Sequence, residues 1–143
     1  MKYKSIFIDT WGWLALGHRR DNYHQSVKEL YCQLKQQKTL IYTSDYVLDE
    51  LISLLFKREN FQEATTFIEG IMQSAELGNL QIEQVTTDKF KLAYELRKKL
   101  NDKPYISFTD LTSMIIMEQL KIQYILTQDD HFLQCGMGFI KVF

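Results

Sequence analysis

Apolar residues along this chain recur at two different spacings, and the switches between them mark out a series of elements. Residues 3–8 end in Ile-Phe-Ile, a run too short for a helix and rich in β-branched and aromatic side chains, which predicts a buried strand. Residues 39–43 (Thr-Leu-Ile-Tyr-Thr), 80–85 and 122–127 (Ile-Gln-Tyr-Ile-Leu-Thr) predict three more, with a shorter one at 139–142. Helical spacing fills the intervals. Residues 22–36 carry Tyr23, Val27, Leu30, Tyr31 and Leu34 at steps of three and four. Residues 44–57 place Val47, Leu48, Leu51, Ile52, Leu54 and Leu55 on one broad face. Asn60 and Glu63 form a capping pair for a helix running to residue 77, where Gly78-Asn79 stops it. Residues 87–100 and 108–121 complete the helices.

Strands separated by long helices imply crossover connections, since parallel neighbours cannot be joined by a hairpin. The expected fold class is therefore α/β: a three-layer sandwich, with a mainly parallel four- to five-stranded sheet and helices on both faces. In such open sheets ligands bind beyond the carboxyl ends of the strands, which directs attention to the residues found there.

Two acids follow predicted strands at once. Asp9 comes directly after Ile6-Phe7-Ile8, and Asp129 comes two residues after Ile125-Leu126-Thr127. Taken singly, either could be a helix N-cap. Asp110 lies in Ser107-Phe108-Thr109-Asp110, which imitates a capping box. The helix that follows is apolar almost all round, and Asp110 shares a stripe with Met114 and Met117. A carboxylate among such neighbours must be neutralised, hydrogen-bonded or bound to a cation. In the helix at 44–57, Asp49 and Glu50 border the apolar arc on opposite sides, and periodicity does not choose between them. Asp129 and Asp130 pose the same choice. Carboxylates gathered from four distant segments repel one another unless divalent cations hold them, and oxygen-only ligands suit Mg²⁺ or Mn²⁺.

Composition sets the bounds. The 143 residues include 45% hydrophobic and 24% charged side chains with 1 Pro and 6 Gly, so one domain over 1–143 is expected, without linkers. The N-terminal apolar run is too short for a signal peptide, and no stretch approaches the roughly 20 apolar residues needed to cross a bilayer. A cytoplasmic protein with no membrane partner is the expectation. Cys32 and Cys135 stand apart, which excludes a zinc ribbon or a thioredoxin-type motif and predicts reduced, packed thiols. The net charge of -1 argues against a protein that grips nucleic acid by bulk positive field alone. Reserving four acids for cations leaves the remaining chain positive, so a nucleic-acid substrate stays open. The clusters His18-Arg19-Arg20, Lys57-Arg58 and Arg97-Lys98-Lys99 read as solvated helix faces.

The ordered set Ile8-Asp9-Thr10, Val47-Leu48-Asp49-Glu50, Ser107-Phe108-Thr109-Asp110 and Leu126-Thr127-Gln128-Asp129-Asp130-His131-Phe132 resembles the four motifs of PIN-domain nucleases, which include the VapC toxins of toxin–antitoxin pairs. The resemblance covers nearly the whole chain. It implies that Asp9, Glu50, Asp110 and Asp129 bind metal and carry catalysis, selecting Glu50 over Asp49 and Asp129 over Asp130. It implies Thr10 and Thr127 as hydroxyls beside the site. It further implies a Mg²⁺- or Mn²⁺-dependent endoribonuclease acting on RNA phosphodiester bonds, with an antitoxin protein and a homodimer as possible partners. Trp11 and Trp13 depart from the small residues common after the first acid, and a core or dimer-contact role is expected for them ahead of base stacking. His18, His24 and His131 have no family counterpart as bases, and for His131 a surface or loop role is expected ahead of catalysis.

Other readings compete. A haloacid-dehalogenase-type phosphatase needs a second Asp where Trp11 stands, and a receiver domain needs a Lys after a late strand, which Thr127-Gln128-Asp129 does not supply. The rival from another class is a catalytically silent PIN-like domain that binds RNA or protein. Within the nucleases, a toxin and an RNA-processing enzyme are both open.

Overall fold

In the computed structural model, residues 3–143 are described. Met1 and Lys2, which head the N-terminal segment weighed as a signal peptide, lie outside them. Five strands are formed: β1 (Ser5–Ile8), β2 (Leu40–Ser44), β3 (Gln81–Glu83), β4 (Tyr124–Leu126) and β5 (Ile140–Val142). Every pairing is parallel, in the order β3-β2-β1-β4-β5. The expected α/β sandwich is thus observed, with five strands in the sheet.

Seven helices connect the strands: α1 (Thr10–Gly17), α2 (His24–Gln36), α3 (Asp45–Arg58), α4 (Phe61–Glu76), α5 (Thr87–Lys99), α6 (Phe108–Leu120) and α7 (His131–Gln134). From β1 the chain winds outward to β2 and β3, then returns across β1 to β4 and β5. Right-handed crossovers in opposite directions put their helices on opposite faces of a sheet. The packing agrees: α1 lies against α2 and α3, and α3 against α4, whereas α5 packs on α6 and α6 on α7. Helices α3 and α6 also contact each other.

The core is one connected cluster in which Ile6, Phe7 and Ile8 of β1 and Ile125 and Leu126 of β4 are fully buried. Capping confirms most of the helix starts. Ser44 accepts a hydrogen bond from Val47 N at 3.1 Å, and Asn60 accepts from Glu63 N at 2.9 Å. Asp45 Oδ1 accepts from Val85 N at 3.0 Å, tying the end of β3 to the start of α3.

Helix α1 carried no periodic signal, because it is buried on several sides. Glycine makes its position possible. A Cβ on Gly12 would sit 2.9 Å from Ile8 Cγ2 and 3.0 Å from Leu126 Cγ, so the helix can rest directly on β1 and β4 only without one. Trp13 then enters the core, 2% exposed, and donates from Nε1 to Thr43 Oγ1 at 3.0 Å, which donates onward to the Ile8 carbonyl at 3.0 Å. The two cysteines are free, and Cys32 is exposed rather than packed, since it lies on the outer face of α2. No helix among the described residues is long and apolar enough to cross a membrane.

Candidate active site

The sheet changes winding direction between β1 and β4, and the crevice that opens there is the usual place for a ligand. Asp9 leaves β1 into that crevice. It holds the N-cap position of α1 yet makes no side-chain capping bond. Its Oδ2 instead accepts from Thr127 Oγ1, at the end of β4, at 2.8 Å. Its Oδ1 is buried with no hydrogen-bond partner. Thr127 Oγ1 also accepts from Asp129 N at 3.0 Å, so one hydroxyl sets the relation between both strand-end acids.

Asp110 arrives from the opposite face on the first turn of α6. Ser107 Oγ caps its backbone amide at 3.1 Å, but the capping box goes no further: the Asp110 carboxylate turns into the crevice, 3.1 Å from His131 Nδ1. Glu50 comes from α3, and its Oε1 accepts from Thr10 Oγ1 at 2.8 Å. Asp9, Glu50, Asp110 and Asp129 line a single open cavity of about 530 Å³, with Trp11, Arg58 and His131 among its other walls. Asp49 is exposed outside it. Asp130 turns away to pair with Lys141 Nζ at 2.8 Å.

Charge crowding marks this cavity. Burial first, and the charge of Asp110 second, push the Asp9 carboxyl up to about 7 from an ordinary 3.8. Burial also pushes Asp110 up to about 6, with Asp129 and Glu50 adding to the rise and His131 opposing it. Acids that resist ionisation in this way are stabilised as anions by a bound cation. The donor set fits one: carboxylate oxygens from four segments of the chain, including an unpartnered buried oxygen on Asp9, suit a hard divalent cation.

Sequence assigns His131 a surface or loop role, and the structure places its ring at the wall of the cavity. The Asp129 Oδ1 accepts from His131 N at 2.9 Å, and this tight turn brings the imidazole back over the carboxylates. Its position two residues after Asp129 is the signal that could have found it. Trp11 likewise departs from its twin. Two residues apart on a helix, the indoles point to opposite sides, so Trp13 enters the core while Trp11 edges the cavity against Tyr23 and Phe143.

Comparison with known proteins agrees with this architecture. The chain is 30% identical over 137 residues to the 23S rRNA-specific endonuclease VapC20 of Mycobacterium tuberculosis (strain CDC 1551 / Oshkosh), spanning 96% of this chain and 97% of the relative. The crystal structure of Mycobacterium tuberculosis VapC20, described as a Sarcin-Ricin loop cleaving toxin, aligns with a TM-score of 0.79 at 30% identity, over 96% and 98% of the two chains. VapBC2 from Rickettsia felis, solved with a DNA fragment from its promoter, shares the fold with a TM-score of 0.70 at 16% identity, over 96% and 97%. The PIN domain family matches residues 6–136, from within β1 to just past α7. On that span of sequence and this arrangement of strands, the chain belongs to the PIN domain family.

Proposed function

We propose that this chain is a divalent-cation-dependent endoribonuclease that works as a single PIN unit, the toxin of a VapBC-type pair, with structured ribosomal RNA as its substrate. The observation that carries the reading is the convergence of Asp9, Glu50, Asp110 and Asp129 on one solvent-open cavity at the sheet's switch point. The near-full-length likeness to a 23S rRNA-specific endonuclease supports the substrate class.

In this proposal Asp110 and Asp129, which stand close enough to share an ion, would hold the cation, with Asp9 and Glu50 lining the same cavity. When bound, the ion supplies Lewis acidity, lowering the pKa of water and neutralising charge that develops on the phosphate. The chain's own groups do the rest. Thr127 and Thr10 fix the Asp9 and Glu50 carboxylates by hydrogen bonds, so that their lone pairs face the cavity instead of adapting to solvent. Arg58 at the cavity wall offers a guanidinium to a substrate phosphate, and the Trp11 indole offers a face to an unpaired base. An acidic cavity of this kind also suits a basic segment of an antitoxin, which would silence the enzyme by occupying it.

Purified protein incubated with ribosomes and Mg²⁺ or Mn²⁺ is expected to cut 23S rRNA at a discrete position, and EDTA is expected to stop the cut. An intact rRNA, or cleavage indifferent to EDTA, would contradict the proposal.

A further inference from the structure

The four acids account for an oxygen-lined site, yet the geometry gathers a nitrogen among them. His131 Nδ1 lies 3.1 Å from Asp110 Oδ2 and 3.0 Å from Asp129 Oδ2. Adjacent ligands of an octahedral ion with bonds of about 2.1 Å stand about 3.0 Å apart, so each of these two oxygens stands from the imidazole nitrogen at the spacing of neighbouring ligands. Asp110, Asp129 and His131 are also the set of His, Cys, Asp and Glu side chains that stands close enough to share an ion among the described residues.

The local chemistry leaves those atoms available. Asp129 spends Oδ1 on the backbone amide of His131, which leaves Oδ2 facing the imidazole Nδ1. Tyr105 packs on the imidazole with ring centroids 5.3 Å apart, and the side chain is still 25% exposed, within reach of an ion arriving from solvent. In the same cavity, Asp9 presents a carboxylate oxygen that is buried and satisfied by no protein group. That oxygen is the independent sign that the cavity is built around something the protein itself does not provide.

We propose that His131 ligates the cation through Nδ1, together with Asp110 and Asp129, and that this nitrogen makes the site prefer Mn²⁺ to Mg²⁺. The inference rests on the metal-dependent reading above. Neutral imidazole binds through Nδ1 when Nε2 carries the proton. Nitrogen ligands suit transition-metal ions, whereas Mg²⁺ takes oxygen and gives up water reluctantly. A histidine acting only as a hydrogen-bond donor to the acids would leave the balance between the two ions unchanged.

The test is electron spin-echo envelope modulation on full-length protein loaded with Mn²⁺, paired with calorimetric titration of Mn²⁺ and Mg²⁺. Wild-type protein is expected to show coupling from a directly bound ¹⁴N, which changes on labelling with ¹⁵N-histidine. His18 and His24 do not confuse the signal, being held by Glu59 and by the Ala15 carbonyl. In His131→Ala the coupling should vanish and Mn²⁺ affinity fall about tenfold or more, while Mg²⁺ affinity changes little. Mn²⁺ bound without nitrogen coupling overturns this inference and leaves the nuclease reading standing. Failure of the wild type to bind Mn²⁺ overturns both. The wild-type spectrum decides the matter even if the variant folds poorly.

Discussion

Asp9→Asn is expected to lower RNA cleavage by about three orders of magnitude while making the metal-free protein more stable, not less. The two effects share one cause. Asp9 is 4% exposed, its Oδ1 has no partner, and burial together with Asp110 holds its pKa near 7. An ionised carboxylate there is unfavourable without a cation, and asparagine removes the charge at almost constant shape. The amide oxygen can still accept from Thr127. Relief of even about 1 kcal/mol raises the melting temperature of a chain of this size by about 3 °C. A structural aspartate would behave in the opposite way, since loss of its charge would remove a favourable bond. Time courses of rRNA cleavage, with calorimetric melting in EDTA at pH 8, check both halves. Retained activity, or a lower melting temperature in EDTA, would contradict the account.

The same electrostatics set a pH dependence. Asp9 and Asp110 have folded-state values of about 7 and about 6, against 3.8 for an unperturbed aspartate. Between pH 4 and pH 7 the folded chain therefore binds more protons than the unfolded chain, and stability must fall as pH rises through that window. Their stabilising contribution is complete below the unfolded value and gone above pH 7. Glu59, held below its usual 4.5 by its hydrogen bond with His18, loses its contribution only as the pH falls below that value, outside a comparison of pH 5 with pH 8. Urea unfolding in EDTA is expected to give a free energy larger at pH 5 than at pH 8 by a few kcal/mol, a sizeable part of the roughly 5–15 kcal/mol typical of a domain. Mn²⁺ should reverse the order, because it binds the deprotonated acids. Equal stability at the two pH values without metal would mean that neither burial nor mutual repulsion raises these acids.

Much of this arrangement was legible in the residues, for reasons that can be named. Helices α2 to α5 each bury one face or stripe against the rest of the chain, α6 is buried almost all round as its apolar run implies, and β1 and β4 are buried runs with an acid directly after the first and three residues after the second, so local pattern and final structure coincide. Helix α1 was not legible. Its Trp-Gly-Trp-Leu-Ala-Leu-Gly sequence is apolar on every side, and its two glycines signal a turn to any local reading. They serve close packing instead, Gly12 against Ile8 and Leu126 and Gly17 against Phe67.

That omission had consequences at the site. The choice between Asp49 and Glu50 cannot be made on the periodicity of α3, which the two residues flank symmetrically. It is made by Thr10, whose hydroxyl donates to Glu50 from the start of the helix that local pattern does not reveal. The separate fates of Trp11 and Trp13 depend on α1 in the same way. The imidazole of His131 depends on α7, four residues long and too short for any period to register.

Crystals soaked in Mn²⁺ and measured at a wavelength where manganese scatters anomalously would locate the ion itself. A peak in the cavity bounded by Asp9, Glu50, Asp110 and Asp129 is predicted, and it should be absent from Asp9→Asn crystals treated identically. An empty cavity at saturating Mn²⁺, or a peak confined to some other surface, would contradict the proposal that these carboxylates exist to hold a divalent cation.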